Sequence, residues 1–373
     1  MVNSMRVPNT LSSAGYNTVF NWRREISKTQ ALTMKAFVDQ ISRDDNILMN
    51  DEFTFDVDLQ HTILLSDHNI AWGLGYRYYD NEAQITDPTS CGFTSPCFGV
   101  DPETKTLTTW SAFIQDRIRV TDMFAFTIGS KFEENDYTGF EYQPTLRGLW
   151  TPDNDTTYWA AATRAVRVPD RVNTEGILDF GGTTVAIGNA SQESFINYTY
   201  ELGYRKRFSN TLFLDGTVFY SDYRNTVQAS ASGLDEVYGF EGYAKYQYSQ
   251  QWRMELGYTF NEGNTVLANG SSRETASLPK HSIYLRSNYD LKTDMDLDAM
   301  VYYVDESKSV SGNSNIPAYT RVDLRYGWRP VKKLDFSILL TNIFDDAHAE
   351  SRDPTKINTG VQRGAMLKIT YTN

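Results

Sequence analysis

The feature that most constrains this chain is the alternation of apolar and polar residues with a period of two along many long segments. In the segment 320–329 the apolar residues include Val322 and Leu324. They alternate with the charged residues Arg321 and Asp323, as expected for a strand with two unlike faces. Such runs last 9 to 12 residues, whereas ordinary strands have about 5–6 residues. A tilted strand needs roughly 9–11 residues to cross a bilayer, so the run length favours membrane-spanning strands over a soluble sandwich.

About seventeen segments of this kind follow one another along the chain. The segment 31–42 comes nearest to a helical period, but its polar neighbours favour a strand. Complete bacterial barrels have an even number of strands, and seventeen is odd. We therefore expect either that strands are missing before residue 17 or that one strand is miscounted. The segments start near residues 17, 31, 54, 69, 106, 123, 140, 156, 195, 211, 237, 252, 281, 294, 319, 334 and 364.

The connections between these segments alternate between short turns and long loops. The short turns carry Ser, Asp, Asn, Lys or Pro, which are turn-forming residues. The long loops include 84–105, 168–193, 264–280 and 347–362, and of the loops in this series only 135–139 is brief. Outer-membrane barrels have short periplasmic turns and long extracellular loops, and a soluble meander has no reason to separate loop lengths in this way.

Composition leaves two broad classes, a soluble all-β protein or an outer-membrane barrel. The formal net charge is −12, which argues against a nucleic-acid-binding protein. The mean hydropathy is −0.48, and no run of 18 apolar residues predicts a transmembrane helix. Aromatic residues make up 14% of the chain, and two cysteines are too few for a disulfide-built scaffold. The first residues show no secretory signal pattern.

An ordered set of phrases resembles the barrel of TonB-dependent outer-membrane receptors. The fullest phrase is Trp159–Arg171, and the set extends over residues 50–373 in the order found in that family. The other phrases are Trp72–Arg77, Phe113–Asp116, Gly129–Glu133, Asn135–Glu141, Gln143–Arg147, Trp150–Pro152, Tyr200–Arg205, Ala318–Arg325 and Asn342–Asp346.

The resemblance implies an all-β fold, an antiparallel transmembrane β-barrel with about seventeen visible strands of a 22-strand barrel. Residues 1–16 form a poorly patterned segment, and 17–373 form the partial barrel. The plug domain, the TonB-contacting segment and about five strands are not visible. Family barrels usually end on an aromatic residue, whereas this chain ends on Asn373. The chain therefore resembles the C-terminal part of such a receptor.

The alternation also assigns side chains to the two faces of the strands. Inward charges suit a wet lumen and are expected to pair with one another. Outward aromatic residues near strand ends are expected to form a girdle at the lipid headgroups. The inward set is Arg164, Glu201, Arg205, Arg207, Arg286, Asp296, Asp298, Arg321, Asp323 and Arg325, and the girdle set is Trp150, Tyr158, Trp159, Trp252, Tyr258 and Trp328.

Three arginines and two cysteines are the candidate site residues. Arg164, Arg167 and Arg171 lie at a strand end and in the loop after it, where they can attract an anionic ligand. The alternative is a structural role for this phrase, which recurs in the family whatever the ligand. Cys91 and Cys97 are predicted to form a loop-closing disulfide, because the extracellular and periplasmic spaces are oxidising.

No residue pattern predicts an enzyme, a cofactor or a metal site. The four histidines are scattered, and no nucleophile, base and oxyanion donor come together in the sequence. The resemblance implies active uptake of a scarce nutrient across the cell outer membrane, with a ferric siderophore as the first choice. The implied partners are membrane lipid, an iron chelate and TonB, the last through the missing plug region. A passive porin of 16–18 strands and a non-functional fragment of a longer receptor are the alternatives.

Overall fold

The structure is a computed structural model, and nearly every described residue outside turns lies in a β-strand. The one helix among the described residues has five residues, so the all-β prediction is confirmed. No helix in the described part of the chain is long and apolar enough to cross a membrane. The described residues are 12–44, 48–85, 91, 96–228, 231–266, 272–274, 278–307, 315–350 and 360–372.

Seventeen strands in this part of the chain have eight or more residues, which confirms the predicted number. They are β1 (Ser12–Ser27), β2 (Gln30–Asp44), β3 (Leu48–Leu65), β4 (His68–Ile85), β6 (Thr104–Arg119), β7 (Phe124–Asn135), β8 (Gly139–Asp153), β9 (Thr156–Arg167), β12 (Phe195–Arg207), β13 (Leu212–Gln228), β14 (Ala231–Gln247), β15 (Trp252–Val266), β17 (His281–Lys292), β18 (Met295–Val304), β19 (Tyr319–Val331), β20 (Leu334–Thr341) and β23 (Gly364–Tyr371).

Short elements lie between the long strands. The predicted loop 168–193 contains three of them, and two of these three are strands of a separate three-stranded sheet. They are β5 (Cys97–Val100), the helix α1 (Arg171–Glu175), β10 (Gly176–Asp179), β11 (Thr184–Ala186), β16 (Ser272–Glu274), β21 (Ala347–His348) and β22 (Val361–Gln362).

Several strands begin before the predicted position. β1 starts at Ser12 rather than near residue 17, so residues 12–16 belong to the first strand and not to the unpatterned segment. β3 starts at Leu48 and has 18 residues. At about 3.3 Å per residue such a strand is longer than the hydrocarbon layer is thick. The ends that project from the layer do not need an apolar face, which is why alternation missed them.

The chain divides into two compact units. Unit 1 comprises Met1–Arg147 and Thr163–Asn197. In it β1, β2, β3, β4, β6 and β7 pair in chain order, and each pairing is antiparallel. The register sets Asp56 opposite Arg77 and Ser111 opposite Glu133. Polar side chains therefore share one face of the sheet.

Unit 2 comprises Gly148–Ala162 and Tyr198–Asn373. In it β13, β14, β15, β17, β18, β19, β20 and β23 pair antiparallel in chain order. The register sets Asp298 opposite Arg325 on one face and Leu297 opposite Tyr326 on the other. Each unit therefore has the unlike faces that the alternation predicts.

The apolar faces of both units are much more exposed than is usual for a protein surrounded by water. Trp110 is 61% exposed, Phe140 63% and Leu202 62%. A soluble protein rarely exposes contiguous apolar surface of this extent. Lipid chains solvate such a face without penalty, so these outward side chains mark the membrane-facing surface.

Candidate functional site

A cavity of about 1400 Å³ lies on the polar face of unit 1. The strands β3, β4, β6 and β7 supply most of its wall. Residues 98–100, in β5, and 168–172, at the start of the helix α1, also line it. A space of this size exceeds the roughly 300–1,000 Å³ of typical small-ligand sites, so it has room for a large chelate.

Two charged pairs lie in the strand wall of the cavity, beside the further carboxylates of Glu52 and Asp58. The Arg77 guanidinium lies 2.8 Å from the Asp56 carboxylate, and the Lys131 ammonium lies 2.8 Å from Glu133. Each pair leaves little net charge for a ligand to meet. The Ser111 hydroxyl and the Asp58 carboxylate occupy the space above Gly75, where a Cβ would lie 2.5 Å and 2.7 Å from them.

A small three-stranded sheet and the helix α1 form a cap at the loop end of this wall. β10 pairs antiparallel with both β5 and β11. Asp170 caps the helix, since its carboxylate accepts a 2.9 Å hydrogen bond from the Asn173 amide. The Asp101 amide donates to the Glu175 carbonyl at 3.0 Å, which ties β5 to the helix. The segments 97–101 and 170–188 therefore form one connected element, named the cap below.

Arg171 joins the cap to the wall. Its side chain is only 8% exposed, and its guanidinium lies 3.0 Å from the Glu175 carboxylate. It donates at 2.5 Å to the Asn81 side chain, at 3.1 Å to the Glu103 carbonyl, and also to the Pro102 carbonyl. All five donors of an arginine suit such a planar set of acceptors. The structure thus gives Arg171, predicted as a ligand residue, a buried structural position.

Arg164 is also engaged with the protein. It is 8% exposed and lies 3.6 Å from the Glu141 carboxylate. Its guanidinium donates to the Tyr142 carbonyl and stacks 4.3 Å from the centre of the Tyr142 ring. Arg167 differs, because its guanidinium lies 4.3 Å above the Phe195 ring and the residue is exposed. The structure thus separates the three predicted arginines into two buried residues and one exposed residue.

The wall beside the cap also contains residues that were not among those predicted from the sequence. Lys105 binds Glu175 and places its ammonium 4.6 Å from the centre of the Tyr137 ring. Burial raises the pKa of the Tyr137 phenol, which is protonated at neutral pH even at its ordinary pKa. Asn81 is 4% exposed and holds Asn50 as well as Arg171. These residues are far apart in sequence, and only their pairing across strands could have revealed them.

The sulfur atoms of Cys91 and Cys97 form a disulfide bond at the start of β5. The bond closes a loop with a sequence separation of 6. For so short a loop the chain-entropy model gives about 2 kcal/mol of stabilisation. The disulfide therefore adds to the hydrogen bonds that hold β5 in the cap.

Replacing both cysteines by serine is expected to lower the local stability of β5 by about 2 kcal/mol, because the open chain regains loop entropy. Hydrogen exchange of the amides of residues 97–100 measures this, with about 30-fold faster exchange expected. Amides of β18 in unit 2 serve as the internal control. Unchanged exchange in β5 would show that hydrogen bonding alone holds the strand.

Unit 2 carries a separate layer of inward charge. Arg325 bonds to Asp296 and lies 2.8 Å from Asp298, and Arg329 lies 2.5 Å from Asp296. Arg205 lies 2.5 Å from Asp215. The expectation that inward charges pair with one another is confirmed for these residues.

One member of the predicted girdle faces the other way. Tyr158 stacks on Trp150 at 5.0 Å, as expected for two outward neighbours. Trp159 lies on the opposite face of β9, since successive side chains of a strand alternate. Its ring covers Gly203, where a Cβ would lie 2.1 Å from the indole. The placement of Trp159 in the girdle was therefore wrong, because two consecutive residues cannot both face lipid.

The described residues contain no group of three or more His, Cys, Asp or Glu side chains arranged to hold a metal ion. The cavity instead offers paired charges, amides, hydroxyls and aromatic rings. Such a surface can bind and release a polar complex without a chemical step.

Comparison with known proteins identifies the family. The family described as "TonB dependent receptor-like, beta-barrel" matches residues 4–343. The chain belongs to this family. It is a β-barrel protein of the cell outer membrane, as members of the family are. The recognition drawn from the ordered phrases is confirmed.

Two kinds of relatives agree with this membership. The catecholate siderophore receptor Fiu of Escherichia coli is 28% identical over 156 residues, which are 38% of this chain and 20% of Fiu. The siderophore receptor PiuA of Acinetobacter baumannii has a TM-score of 0.78 at 13% identity, covering 98% of this chain and 65% of PiuA. The structure of Fiu from Escherichia coli has a TM-score of 0.76 at 14% identity, covering 97% and 64%. The chain thus spans less than two thirds of these receptors.

Proposed function

We propose that this chain is the barrel part of a TonB-dependent receptor that imports a ferric siderophore across the outer membrane. The match of the receptor-barrel family to residues 4–343 is the observation that carries the proposal. The names of the relatives PiuA and Fiu, both siderophore receptors, support the cargo class. The capped cavity of unit 1 supports it further, because it has the volume and polarity for a chelate. Contact with TonB would take place through a plug region upstream of the barrel.

Uptake of radioactive iron tests the proposal. A strain lacking the whole gene is supplied with a ferric catecholate under iron limitation, with and without the gene restored. We expect restored uptake that a protonophore abolishes, because TonB-dependent import needs the energised inner membrane. Restored entry that the protonophore leaves unchanged would indicate passive diffusion and a porin instead. No difference between the two strains would overturn import of this cargo class.

Arg167 is the proposed ligand contact among the three arginines, because its guanidinium is exposed beside an aromatic ring. A hydrogen bond to a charged group contributes about 1.5–3 kcal/mol, so Arg167→Gln is expected to weaken binding of an anionic ferric catecholate about tenfold to a hundredfold. Intrinsic fluorescence quenching of the purified protein measures the dissociation constant.

Arg224→Gln is the matched control for Arg167→Gln. Arg224 also lies over an aromatic ring, 4.9 Å from the centre of Tyr198, but it is already paired with Asp222 at 2.8 Å. We expect its replacement to leave the dissociation constant unchanged. Equal losses in the two variants would show that Arg167 acts through general charge and not through contact.

A further inference from the structure

The membrane-facing surface of unit 2 is interrupted by a groove. Gly216 of β13 and Gly242 of β14 are direct cross-strand partners, so two side chains are missing at one point of the sheet. Tyr204 bounds the gap on one side, and Tyr258, the cross-strand partner of Gly242, bounds it on the other. The resulting cavity is about 590 Å³ and almost wholly apolar in its lining.

The groove faces lipid and not the polar side of the sheet. The ion pairs Arg205–Asp215 at 2.5 Å and Lys245–Glu255 at 3.4 Å lie at odd-numbered positions of the same strands. Side chains of a strand alternate, so the even-numbered residues at the groove point the opposite way. Leu202 at its edge is 62% exposed, as the rest of the outward surface is. The groove is therefore continuous with the surface that meets the membrane.

The neighbouring aromatic ring does not fill this groove. The Phe240 ring leans over the two glycines, and a Cβ on Gly242 would lie 2.7 Å from its Cζ atom. The ring is part of the lining, and about 590 Å³ of space remains in the groove. A void of this kind forfeits dispersion contacts along its whole lining unless a flexible apolar chain enters it.

A cation stands at the periplasmic end of the groove. The amide of Phe208 donates to the Leu212 carbonyl at 2.9 Å across the short turn, and counting back along both strands places Lys206 beside Leu214, which lines the groove. The Lys206 side chain is 27% exposed, and its ammonium contacts Thr156 and lies 3.7 Å from the half-exposed Asp153 carboxylate. An ammonium group has three donors, so it can also hold an anionic oxygen.

From this arrangement we propose that unit 2 carries a binding site for one glycerophospholipid of the membrane. One acyl chain lies in the groove between Tyr204 and Tyr258, over Gly216 and Gly242. The phosphate lies at Lys206. In a bilayer the surrounding tails are as apolar as the groove, so shape and dispersion select the chain and the ammonium fixes the head group.

Native mass spectrometry of the full chain tests this site. The protein is equilibrated with vesicles of phosphatidylethanolamine and phosphatidylglycerol, extracted in detergent, and examined for retained phospholipid. We expect one phospholipid to stay bound to the original protein. Gly216→Leu places a side chain in the groove, and we expect retention to fall about tenfold, equivalent to roughly 1.4 kcal/mol.

Two further variants make the test specific. Ala299→Leu adds the same bulk on the outward face of β18, away from the groove, and is expected to retain lipid as the original protein does. Lys206→Gln is expected to lower phospholipid retention several-fold, because the phosphate loses its ammonium partner while the groove for the acyl chain is unchanged. Each variant is checked for the heat-modifiable band of a folded barrel. Should Gly216→Leu lack that band, the smaller Gly216→Val takes its place; a Cβ at this position lies 3.3 Å from the Phe240 ring, so the ring must shift slightly in either variant.

Equal retention by the Gly216 and Ala299 variants would overturn the groove as a lipid site. Lipid-free original protein would overturn it as well. Unchanged retention in Lys206→Gln, together with loss in Gly216→Leu, would overturn the phosphate contact and leave an acyl-chain site alone.

Discussion

Replacing Arg171 by alanine is expected to release the cap from the strand wall. The side chains of Arg171 and Glu175 are 8% and 9% exposed, so the change leaves a buried carboxylate without its guanidinium. Removing one partner of a buried pair costs about 3–5 kcal/mol, and because Lys105 still binds Glu175 we expect the lower end of that range. The Asn81 side chain and the Glu103 carbonyl lose a donor at the same time. Hydrogen exchange of residues 171–186 measures the effect, and we expect at least about a hundredfold loss of protection.

Two variants distinguish this interpretation from a general loss of charge. Arg171→Lys keeps the charge but cannot reach several carbonyls at once, so we expect an intermediate loss. Arg167→Ala removes an exposed guanidinium four positions earlier and is expected to leave exchange in the cap nearly unchanged. Equal protection in Arg171→Ala and Arg167→Ala would contradict the role of Arg171 as the link between cap and wall.

Replacing Asp323 by alanine is expected to have the second large effect, in unit 2. Asp323 is 8% exposed, and its carboxylate binds the Arg321 guanidinium at 2.7 Å. It also accepts a 2.9 Å hydrogen bond from the backbone amide of Asn342, which is fully buried. Leaving that amide without an acceptor, with Arg321 keeping only the Glu350 carboxylate at 3.9 Å, is expected to cost about 3 kcal/mol. Urea unfolding of the folded protein, followed by loss of the heat-modifiable band, measures the change.

Asp335→Ala is the matched control for Asp323→Ala. Asp335 lies on the next strand and faces Arg329 at 3.8 Å, with its side chain 37% exposed. Exposed pairs contribute about 0–1 kcal/mol, so little change is expected. Asp323→Asn should fall between the two, because an amide oxygen still accepts from Asn342. A loss in Asp335→Ala as large as in Asp323→Ala would show that the position of Asp323 is not special.

The phrase Asn342–Asp346 shows which properties of a residue a motif predicts and which it does not. The sequence presented it as one member of an ordered set. In the structure Asn342 adopts a φ of 54°, a left-handed conformation that asparagine tolerates better than most residues. Its side-chain amide donates to the Val361 carbonyl at 3.0 Å. The residue type was readable in advance, but its partners on other strands were not.

The arginines of the phrase Trp159–Arg171 show the limit for the site. Charge and position predicted that all three could meet an anion. Burial then separated them. Arg164 and Arg171 are buried and lie beside carboxylates of the protein, whereas Arg167 is exposed to solvent above the Phe195 ring. Periodicity predicts on which face of a strand a side chain lies, but it does not predict which carbonyl or carboxylate groups the side chain will contact.

The sequence by itself determined the fold class, the seventeen long strands and the alternation of short turns with long loops. These follow from local physics, since period-two patterning and turn chemistry act within a few residues. Only the tertiary structure decided the cap, the buried position of Arg171 and the groove over Gly216 and Gly242. Each of these depends on strand register and on loops meeting at a distance, which bring together residues that no local pattern connects.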